Sequence, residues 1–317
     1  MSHEFASFES VALVALVGPT AVGKSALAIL LAERLPLEIV NADSRQVYRY
    51  MDIGTGKPTD EERARVPHHV FDVADPDDAF SLADYRRHAA SAMDLVRARG
   101  NIPLLVGGSG QYVWSVVEGW HVPNVPPDPA FRQEMERYAA LQGHSELHAR
   151  LTRIDPEAGE RIQATNVRRV IRALELHRGT GMLPSRILWR RERVSTAGTL
   201  VLGLSLDSAE LFARVDARID TMVRCGFADE VRALLDRGYS PSLPSMSSIG
   251  YREMADCVGG ASDLQAAVAR IRRETRRLVR RQRAWFRAAD ERIIWLDTRE
   301  PLSALDRSAM LLERALR

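Results

Sequence analysis

A glycine-rich turn between two apolar segments constrains the fold of this chain more than any other feature. The run VALVALV at 11–17 leads directly into GPTAVGKS at 18–25, and ALAILLAERL follows at 26–35. A continuous apolar run is typical of a central parallel strand that is covered on both faces. The segment after the turn has the composition and length of a helix. The sequence therefore begins with a strand, a phosphate-loop-like turn and a helix.

Further along the chain, apolar strand patterns alternate with helix patterns. Strands are predicted at 11–17, 37–40, 68–73, 102–108, 199–207 and 292–297. Helices are predicted at 24–35, 81–100, 208–225, 228–237 and 262–288. The second helix has clear ends, with Ser81 as N-cap, Asp84 at the third position and Gly100 after the last turn. The alternation predicts an α/β fold with a doubly wound parallel sheet.

A proline-rich segment interrupts this alternation. HVPNVPPDP at 121–129 contains four prolines in nine residues, and prolines at this density stop regular structure. From about 130 to 180 the chain has helical patterning with no convincing strand. We therefore predict a catalytic core formed by 1–121 and 199–317, with a mainly helical insertion domain at 122–198.

Composition excludes several classes of protein. The formal net charge is +2 over 317 residues, so overall charge identifies no partner. Cys225 and Cys257 are too few for a disulfide framework or a four-ligand metal site. Apolar stretches are shorter than a membrane helix, and the N-terminus lacks the basic start of a signal peptide. We expect a cytoplasmic protein that makes no membrane contact, and we expect it to be a monomer.

The turn after the first strand fits the pattern G-x-x-x-x-G-K-[ST] of phosphate-binding loops. Glycines allow backbone N–H groups to close around phosphate oxygens, and the following helix points its positive dipole end at them. Lys24 would add a positive charge, and the Ser25 hydroxyl would hold Mg²⁺. The predicted phosphate-binding residues are Gly18, Pro19, Thr20, Ala21, Val22, Gly23, Lys24 and Ser25. The loop alone does not distinguish a diphosphate from a triphosphate.

Two other segments are expected beside the loop, because ligands of open parallel sheets lie beyond the carboxyl ends of the strands. NADSRQVY at 41–48 brings Asp43 there, and GGSGQY at 107–112 brings Ser109. Asp43 is a candidate base, with an Asx turn or helix N-cap as its alternative role. Ser109 has a helix N-cap as its alternative. The strand at 102–108 ends without the metal-binding aspartate usual in nucleotide hydrolases, which weakens the ATPase and GTPase hypotheses.

Eight segments together resemble the bacterial tRNA dimethylallyltransferases, also called tRNA isopentenyltransferases. They are GPTAVGKSALA, NADSRQVYRYMDIGTGKPT, PHHVFDV, LLVGGSGQYVWSVVEG, NVRRVIRALE, GFADEVRALL, SIGYREM and RRQRAWFR. The resemblance runs from about 11 to 297. It implies transfer of a dimethylallyl group from dimethylallyl diphosphate to N6 of the adenosine 3′-adjacent to the anticodon, with release of diphosphate. It also implies a Mg²⁺ cofactor and a helical insertion domain that grips the anticodon stem-loop of tRNA.

The same resemblance assigns roles to individual residues. Asp43 would take the proton of the adenine amine. Ser109, which stands where the family more often has threonine, would be a catalytic residue as well. Arg218, preferred over Arg214 four residues earlier, would stabilise the departing diphosphate, and Arg214 would also bind the diphosphate. The residues matching tRNA contacts of the family are Asp43, Ser44, Arg45, Gln46, Ser109, Arg132, Arg168, Arg169, Val170, Ile171 and Arg172. Arg168 replaces the glutamine usual in the family, which favours a phosphate contact over a base contact.

An arginine-rich segment near the C-terminus independently indicates nucleic-acid binding. Between Arg270 and Arg287 there are nine arginines and one acid, Glu274. The predicted inward stripe of this helix is Ile271, Thr275, Leu278, Gln282 and Trp285. The arginines would then lie on the outer faces, where they could contact RNA phosphates.

Three other functions remain open at this point. A phosphate-loop kinase acting on a small metabolite, with Asp43 as base, would consume ATP without RNA. A prenyltransferase acting on free adenine nucleotides would leave the basic insertion without a role. An RNA-binding protein with a structural nucleotide would tolerate Asp43→Asn.

Overall fold

The computed structural model describes residues 11–123, 125–188 and 198–315. The chain divides into two compact units, one formed by 1–117 with 195–317 and the other by 118–194. We call them the core unit and the helical unit. Their boundaries lie four residues before the predicted ones at each end of the insertion.

The core unit is built on a parallel sheet of six strands. The strands are β1 Leu13–Val17, β2 Leu37–Asn41, β3 His68–His69, β4 Ile102–Gly107, β5 Thr199–Ser205 and β6 Ile293–Asp297. Their order across the sheet is β3-β2-β4-β1-β5-β6, and every pairing is parallel. All five residues of β1 are buried, as a strand at the centre of a covered sheet requires. The predicted doubly wound α/β fold is confirmed.

Fourteen α-helices occur among the described residues. In chain order they are α1 Lys24–Arg34, α2 Asp60–Arg65, α3 Leu82–Ala98, α4 Gly110–Val117, α5 Pro129–Gln142, α6 His144–Ile154, α7 Pro156–Arg161, α8 Val167–Thr180, α9 Pro184–Leu188, α10 Ser208–Arg224, α11 Phe227–Asp236, α12 Tyr251–Val258, α13 Leu264–Trp285 and α14 Pro301–Ala315. Ser81 and Asp84 form the predicted capping box of α3. All of these helices are too short or too polar to span a lipid bilayer.

The third strand is much shorter than predicted. The sequence predicted it over 68–73, but β3 ends after His69. Val70 and Asp72 have φ angles of 64° and 55°. Left-handed backbone of this kind cannot continue a strand, so the chain turns away from the sheet at this point.

Helices α5 to α9 form the helical unit, which has its own apolar core. Buried side chains from α5, α6 and α8 meet there, among them Met135, Leu147, Leu151, Val170 and Leu174. Asp128 caps α5 by accepting the N–H of Phe131, and a proline follows at the first position of the helix. Amphipathic packing of this kind gives an insertion with a hydrophobic centre separate from the sheet.

Candidate active site

The loop at 18–25 connects β1 to α1 and requires glycine at its first position. Gly18 has a φ of 145°, and a Cβ atom there would lie 2.7 Å from the carbonyl oxygen of Leu204. At the other end, Gly23 has a φ of 102° and supplies no side-chain cap to α1. The first N–H groups of α1 are therefore free to bind an anion.

Lys24 lies in this loop with its charge directed towards main-chain oxygens. Its Nζ donates to the carbonyls of Gly18 at 3.0 Å and Pro19 at 2.8 Å. Burial lowers the pKa of Lys24 to about 8, with the charge of Arg218 acting in the same direction and that of Asp43 opposing it. A bound anion would reverse this destabilisation of the ammonium ion.

Arg218 and Arg214 lie one turn apart on α10 but have different partners. Arg214 donates to Glu210 at 2.7 Å, which neutralises it. The only hydrogen bond of Arg218 among the described residues is a long one, 3.5 Å, to the carbonyl oxygen of Thr55. Burial lowers the pKa of Arg218 and the charge of Asp43 opposes that effect. Arg218 is therefore the arginine of this pair whose charge remains available to a ligand.

Asp43 shares a cavity of about 60 Å³ with groups from the loop and from α10. Among the residues lining it are Thr20, Lys24, Ser25, Asp43, His68 and Arg218. The Oδ1 atom of Asp43 accepts the N–H of Arg45 at 2.9 Å, so the Asx turn considered as an alternative role is present. Its Oδ2 atom accepts no hydrogen bond from the described residues. One carboxylate oxygen thus fixes the loop while the other can accept a proton.

Ser109 connects the two segments that follow β2 and β4. Its hydroxyl accepts the N–H of Ser44 at 2.9 Å and donates to the Ser44 hydroxyl at 3.2 Å. Its carbonyl oxygen accepts the first N–H groups of α4, from Tyr112 and Val113. The residue therefore stands at the helix N-terminus, but its hydroxyl holds the Asp43 segment instead of capping the helix.

Gln282 was predicted only as an inward-facing position, yet it joins two loops of the site. Its Oε1 accepts the N–H of Thr20 at 2.8 Å, and its Nε2 donates to the carbonyl of Gly108 at 3.2 Å. The side chain is 6% exposed. A glutamine inside an otherwise apolar helical stripe is the sequence signal for such a role, since a buried amide needs partners.

The stripe predicted for the arginine-rich helix α13 is wrong at one end. Trp285 is 43% exposed, and Phe286 is buried in its place. The residues of α13 that are buried are Ala267, Ile271, Val279 and Gln282. The inward face is therefore rotated slightly from the predicted one.

Three of the eight arginines on α13 are neutralised by acids on neighbouring helices, and two more pair with Glu274 on α13 itself. Arg270, Arg272 and Arg276 pair with Asp256, Asp220 and Asp216, at 3.2, 2.5 and 2.6 Å. These acids lie on α12 and α10. Counting only Glu274, the one acid within the segment, therefore underestimates how many of its arginines are paired. Arg280 and Arg281 are exposed and have no ion-pair partner among the described residues. Together with the exposed Arg283, which donates to the Ser208 hydroxyl and the Leu206 carbonyl, they retain the outward charge that RNA binding needs.

The side chains of Arg45 and Gln46 hold loops of the core unit. Arg45 donates to the carbonyl of Pro244 at 3.2 Å, and Gln46 donates to the carbonyls of Thr55 and Gly56 at 3.1 and 2.9 Å. These side chains therefore shape the wall of the cavity. Ser44 contributes its N–H to Ser109 in the same way.

Two predicted RNA-contact arginines of the helical unit, Arg132 and Arg172, make internal ion pairs. Glu175 is 2% exposed and accepts two hydrogen bonds from Arg132, both at 2.8 Å, and another from Arg172. Burial opposes ionisation of Glu175, but the two arginines outweigh it and lower its pKa to about 2. The first role of Arg132 and Arg172 is to neutralise a buried carboxylate, because an unpaired buried charge is strongly unfavourable.

Two further predicted tRNA contacts have buried side chains. Val170 and Ile171 are 0% and 3% exposed and belong to the core of the helical unit. Their side chains hold α8 in place and offer no surface to RNA. Arg168 and Arg169, by contrast, are exposed and have no ion-pair partner among the described residues.

Protein ligands for a metal ion are few. Among the residues that the structure describes, no group of three or more His, Cys, Asp or Glu side chains could hold one. The Ser25 hydroxyl and the Asp43 carboxylate do line the same cavity. Mg²⁺ prefers oxygen ligands and usually keeps several waters and substrate phosphates in its shell. The site therefore fits a magnesium ion that arrives with a phosphorylated ligand.

Sequence comparisons agree on one family. The family model described as IPP transferase matches residues 46–289, and that described as isopentenyl transferase matches residues 11–70. The chain is 50% identical over 283 residues to the tRNA dimethylallyltransferase of Chloroflexus aurantiacus, covering 89% of this chain and 95% of that protein. It is 51% identical over 275 residues to that of Roseiflexus castenholzii, covering 87% and 89%.

Solved structures give the same result. The full-length tRNA isopentenylpyrophosphate transferase of Bacillus halodurans matches with a TM-score of 0.70 and 37% identity, covering 97% of both chains. A eukaryotic dimethylallyltransferase acting on tRNA matches with a TM-score of 0.76 and 27% identity, covering 95% of this chain and 77% of the other.

Proposed function

This chain belongs to the tRNA dimethylallyltransferase family, and we propose that it takes its prenyl group from dimethylallyl diphosphate. The proposed acceptor is N6 of the adenosine 3′-adjacent to the anticodon. The observation that carries the proposal is the cavity in which Lys24, Arg218 and Asp43 meet. Neither Lys24 nor Arg218 has a carboxylate partner within hydrogen-bond distance among the described residues, so both cations can bind a departing anion. The free Oδ2 of Asp43 can accept a proton that the reaction releases.

The loop would hold the diphosphate of the donor. As the allylic carbon–oxygen bond breaks, negative charge grows on the departing oxygens. Lys24, Arg218 and the free N–H groups at the start of α1 would stabilise that charge without reorganising. Mg²⁺, held by Ser25 and the phosphate oxygens, would neutralise further charge on the leaving group.

Asp43 would act on the acceptor. An exocyclic adenine amine is a poor nucleophile, since its lone pair is delocalised into the ring. The bond from N6 to carbon forms while the bond from carbon to oxygen breaks, and Oδ2 of Asp43 takes the proton that N6 loses. Oδ1 stays bonded to the N–H of Arg45, which keeps the carboxylate oriented throughout the reaction.

Unpaired arginines would bind the RNA backbone. Arg168 and Arg169 are exposed on α8, and Arg280 and Arg281 are exposed on α13. Phosphate contacts of this kind provide affinity and register, whereas unpaired bases of a loop can be splayed out and read individually. To reach the cavity, the target adenine must leave its stack.

The test is incubation of the protein with Mg²⁺, labelled dimethylallyl diphosphate and unmodified tRNA, followed by nucleoside analysis. We expect the label in prenylated adenosine from the anticodon loop. Label transferred to free AMP but not to tRNA would favour the nucleotide prenyltransferase alternative. A parallel reaction with ATP in place of the donor tests the kinase alternative, which predicts RNA-independent phosphate transfer.

A further inference from the structure

Three sequence motifs that the proposed reaction leaves without a role converge on one carboxylate. The turn at 51–57, the segment GFADEVRALL and the segment SIGYREM meet at Glu230 on α11. Glu230 is not in the cavity that contains Asp43, and no cation forms an ion pair with it among the described residues. Its function must therefore be sought in the groups that it does bind.

Four donors satisfy the Glu230 carboxylate. Oε2 accepts the backbone N–H groups of Asp52 at 2.9 Å and Ile53 at 2.6 Å. Oε1 accepts the N–H of Gly54 at 3.1 Å and the hydroxyl of Tyr251 at 2.7 Å. Three consecutive N–H groups directed at one anion form a nest, which fixes the backbone that contributes them.

The turn held in this way is closely packed against its receptor. A Cβ atom at Gly54 would lie 2.2 Å from the ring of Phe227 and 2.6 Å from that of Tyr251. At the other end of the turn, the buried Lys57 pairs with Asp52 at 2.7 Å and Asp72 at 2.6 Å. The backbone between Asp52 and Lys57 is thus held at both ends.

The middle of the same turn contacts Arg218. The carbonyl of Thr55 accepts from Arg218 at 3.5 Å, and a Cβ atom at Gly56 would lie only 1.8 Å from its Nη2. Gln46 donates to the carbonyls of Thr55 and Gly56 from the Asp43 segment. The position of this turn therefore decides where the guanidinium of Arg218 can lie.

We propose that Glu230 is a positioning residue, which fixes the turn at 52–56 and thereby places Arg218 against the departing diphosphate. Tyr251 orients the carboxylate through its hydroxyl. The proposal rests on the proposed function of Arg218 as the group that stabilises the leaving diphosphate. Glu230 does not line the cavity that contains Asp43, so its proposed effect on the reaction passes through the turn to Arg218.

A double-mutant cycle on the full chain tests this coupling. The variants are Glu230→Gln, Arg218→Lys and the two combined, with kcat and the donor KM measured at saturating tRNA. The amide of glutamine places an N–H group against backbone N–H donors, so the nest is disrupted. We expect Glu230→Gln to lower kcat by about 10- to 100-fold, as a displaced catalytic group does. The combined variant should be no slower than Arg218→Lys alone.

Tyr251→Phe provides a second route to the same result. It removes the hydroxyl that binds Glu230 but keeps the aromatic ring, so it retains the packing of α12. We expect a smaller loss of kcat than for Glu230→Gln, and this loss should also disappear in the Arg218→Lys background. Should Glu230→Gln fail to fold, the cycle is completed with Tyr251→Phe.

Glu253→Gln is the matched control. Glu253 accepts the N–H of Gly250 at the start of α12 and does not touch the turn, so kcat should be unchanged. The proposal is overturned if the losses of Glu230→Gln and Arg218→Lys multiply, or if Glu230→Gln lowers only the unfolding temperature. If Arg218→Lys itself leaves kcat intact, the assigned role of Arg218 fails, and the positioning role of Glu230 fails with it.

Discussion

The two carboxylate oxygens of Asp43 have different neighbours, and this separates its structural role from its proposed chemical role. Asparagine keeps an Oδ1 that can accept the N–H of Arg45, so the turn should survive Asp43→Asn. It removes the basic oxygen at Oδ2. We expect turnover to fall by roughly two to four decades with tRNA affinity retained, the usual range for a lost general base. Single-turnover rates and filter binding measure the two quantities, and an unchanged rate would remove Asp43 from the mechanism.

Lys24 predicts how the reaction depends on pH. Burial brings the pKa of its ammonium down from the usual 10.5 to about 8 in the free enzyme. The charged form is therefore complete below this value and is lost as pH rises through about 8. Because the donor is anionic, kcat/KM for the donor should decline above pH 8, since this ratio reports groups of the free enzyme.

The control for this prediction is Lys24→Arg, whose side chain stays charged throughout that range. Its kcat/KM for the donor should be lower than that of the wild type at every pH, because the geometry of the loop is altered. It should not show the decline above pH 8. A decline of the same size in both proteins would assign the titration to another group.

Four consecutive residues of helix α8 were predicted to contact tRNA, and two of them are buried while two are exposed. Val170 and Ile171 face the apolar core, whereas Arg168 and Arg169 are exposed and unpaired among the described residues. If the arginines contact phosphates, replacing both with alanine should weaken tRNA binding. It should also reduce the slope of log K against log salt by about 0.7 to 0.9 per lost contact.

The matched control is a pair of exposed arginines with partners on their own helix. Arg87 and Arg97 of α3 pair with Asp84 and Asp94, so replacing them removes the same charge. Their loss should change the salt slope much less. Equal slopes for the two double variants would indicate a general charge effect rather than a contact made by α8.

Local patterns were sufficient to predict the strand, loop and helix at 11–35, because each signal lies within a few residues. They also brought Asp43 and Ser109 together, since both follow strands whose carboxyl ends share one edge of the sheet. Helix α2 was missed even though its capping box, Thr59 with Glu62, is visible in the sequence.

Interactions between distant elements could not be read from the sequence. The acids that pair with three arginines of α13 lie on α10 and α12, between 14 and 60 residues away in the chain but adjacent in space. The partners of Glu230 are even harder to predict, because three of its four donors are backbone N–H groups. Every residue except proline has such a group, so the sequence shows no pattern that identifies them. Arg132 matched a tRNA-contact position of the family, but no pattern near Glu175 in the sequence indicates that it is buried and binds Arg132.

The proposed chemistry and the proposed RNA binding are distributed unequally over the two units. Lys24, Asp43 and Arg218 all belong to the core unit, whereas Arg168 and Arg169 belong to the helical unit. Each unit also has its own buried apolar residues. Donor binding should therefore depend on the core unit alone, and tRNA affinity should depend on both units.

Replacing 118–194 by a flexible glycine–serine linker tests this division. Circular dichroism and a cooperative unfolding transition establish first that the shortened chain is folded. Inorganic diphosphate with Mg²⁺ should still raise its unfolding temperature, because ligands that bind only the folded state stabilise it. Affinity for tRNA should fall by at least about tenfold, with a weaker salt-dependent remainder from Arg280 and Arg281.

Two results would contradict this division of function. Undiminished tRNA affinity would mean that the helical unit does not grip the RNA, and the exposed arginines of α8 would lose their proposed role. A folded core without a response to diphosphate would mean that the phosphate loop needs the insertion to bind its ligand. The full-length Lys24→Met variant is the reference for that second result, because it keeps both units and lacks the ammonium group of the loop.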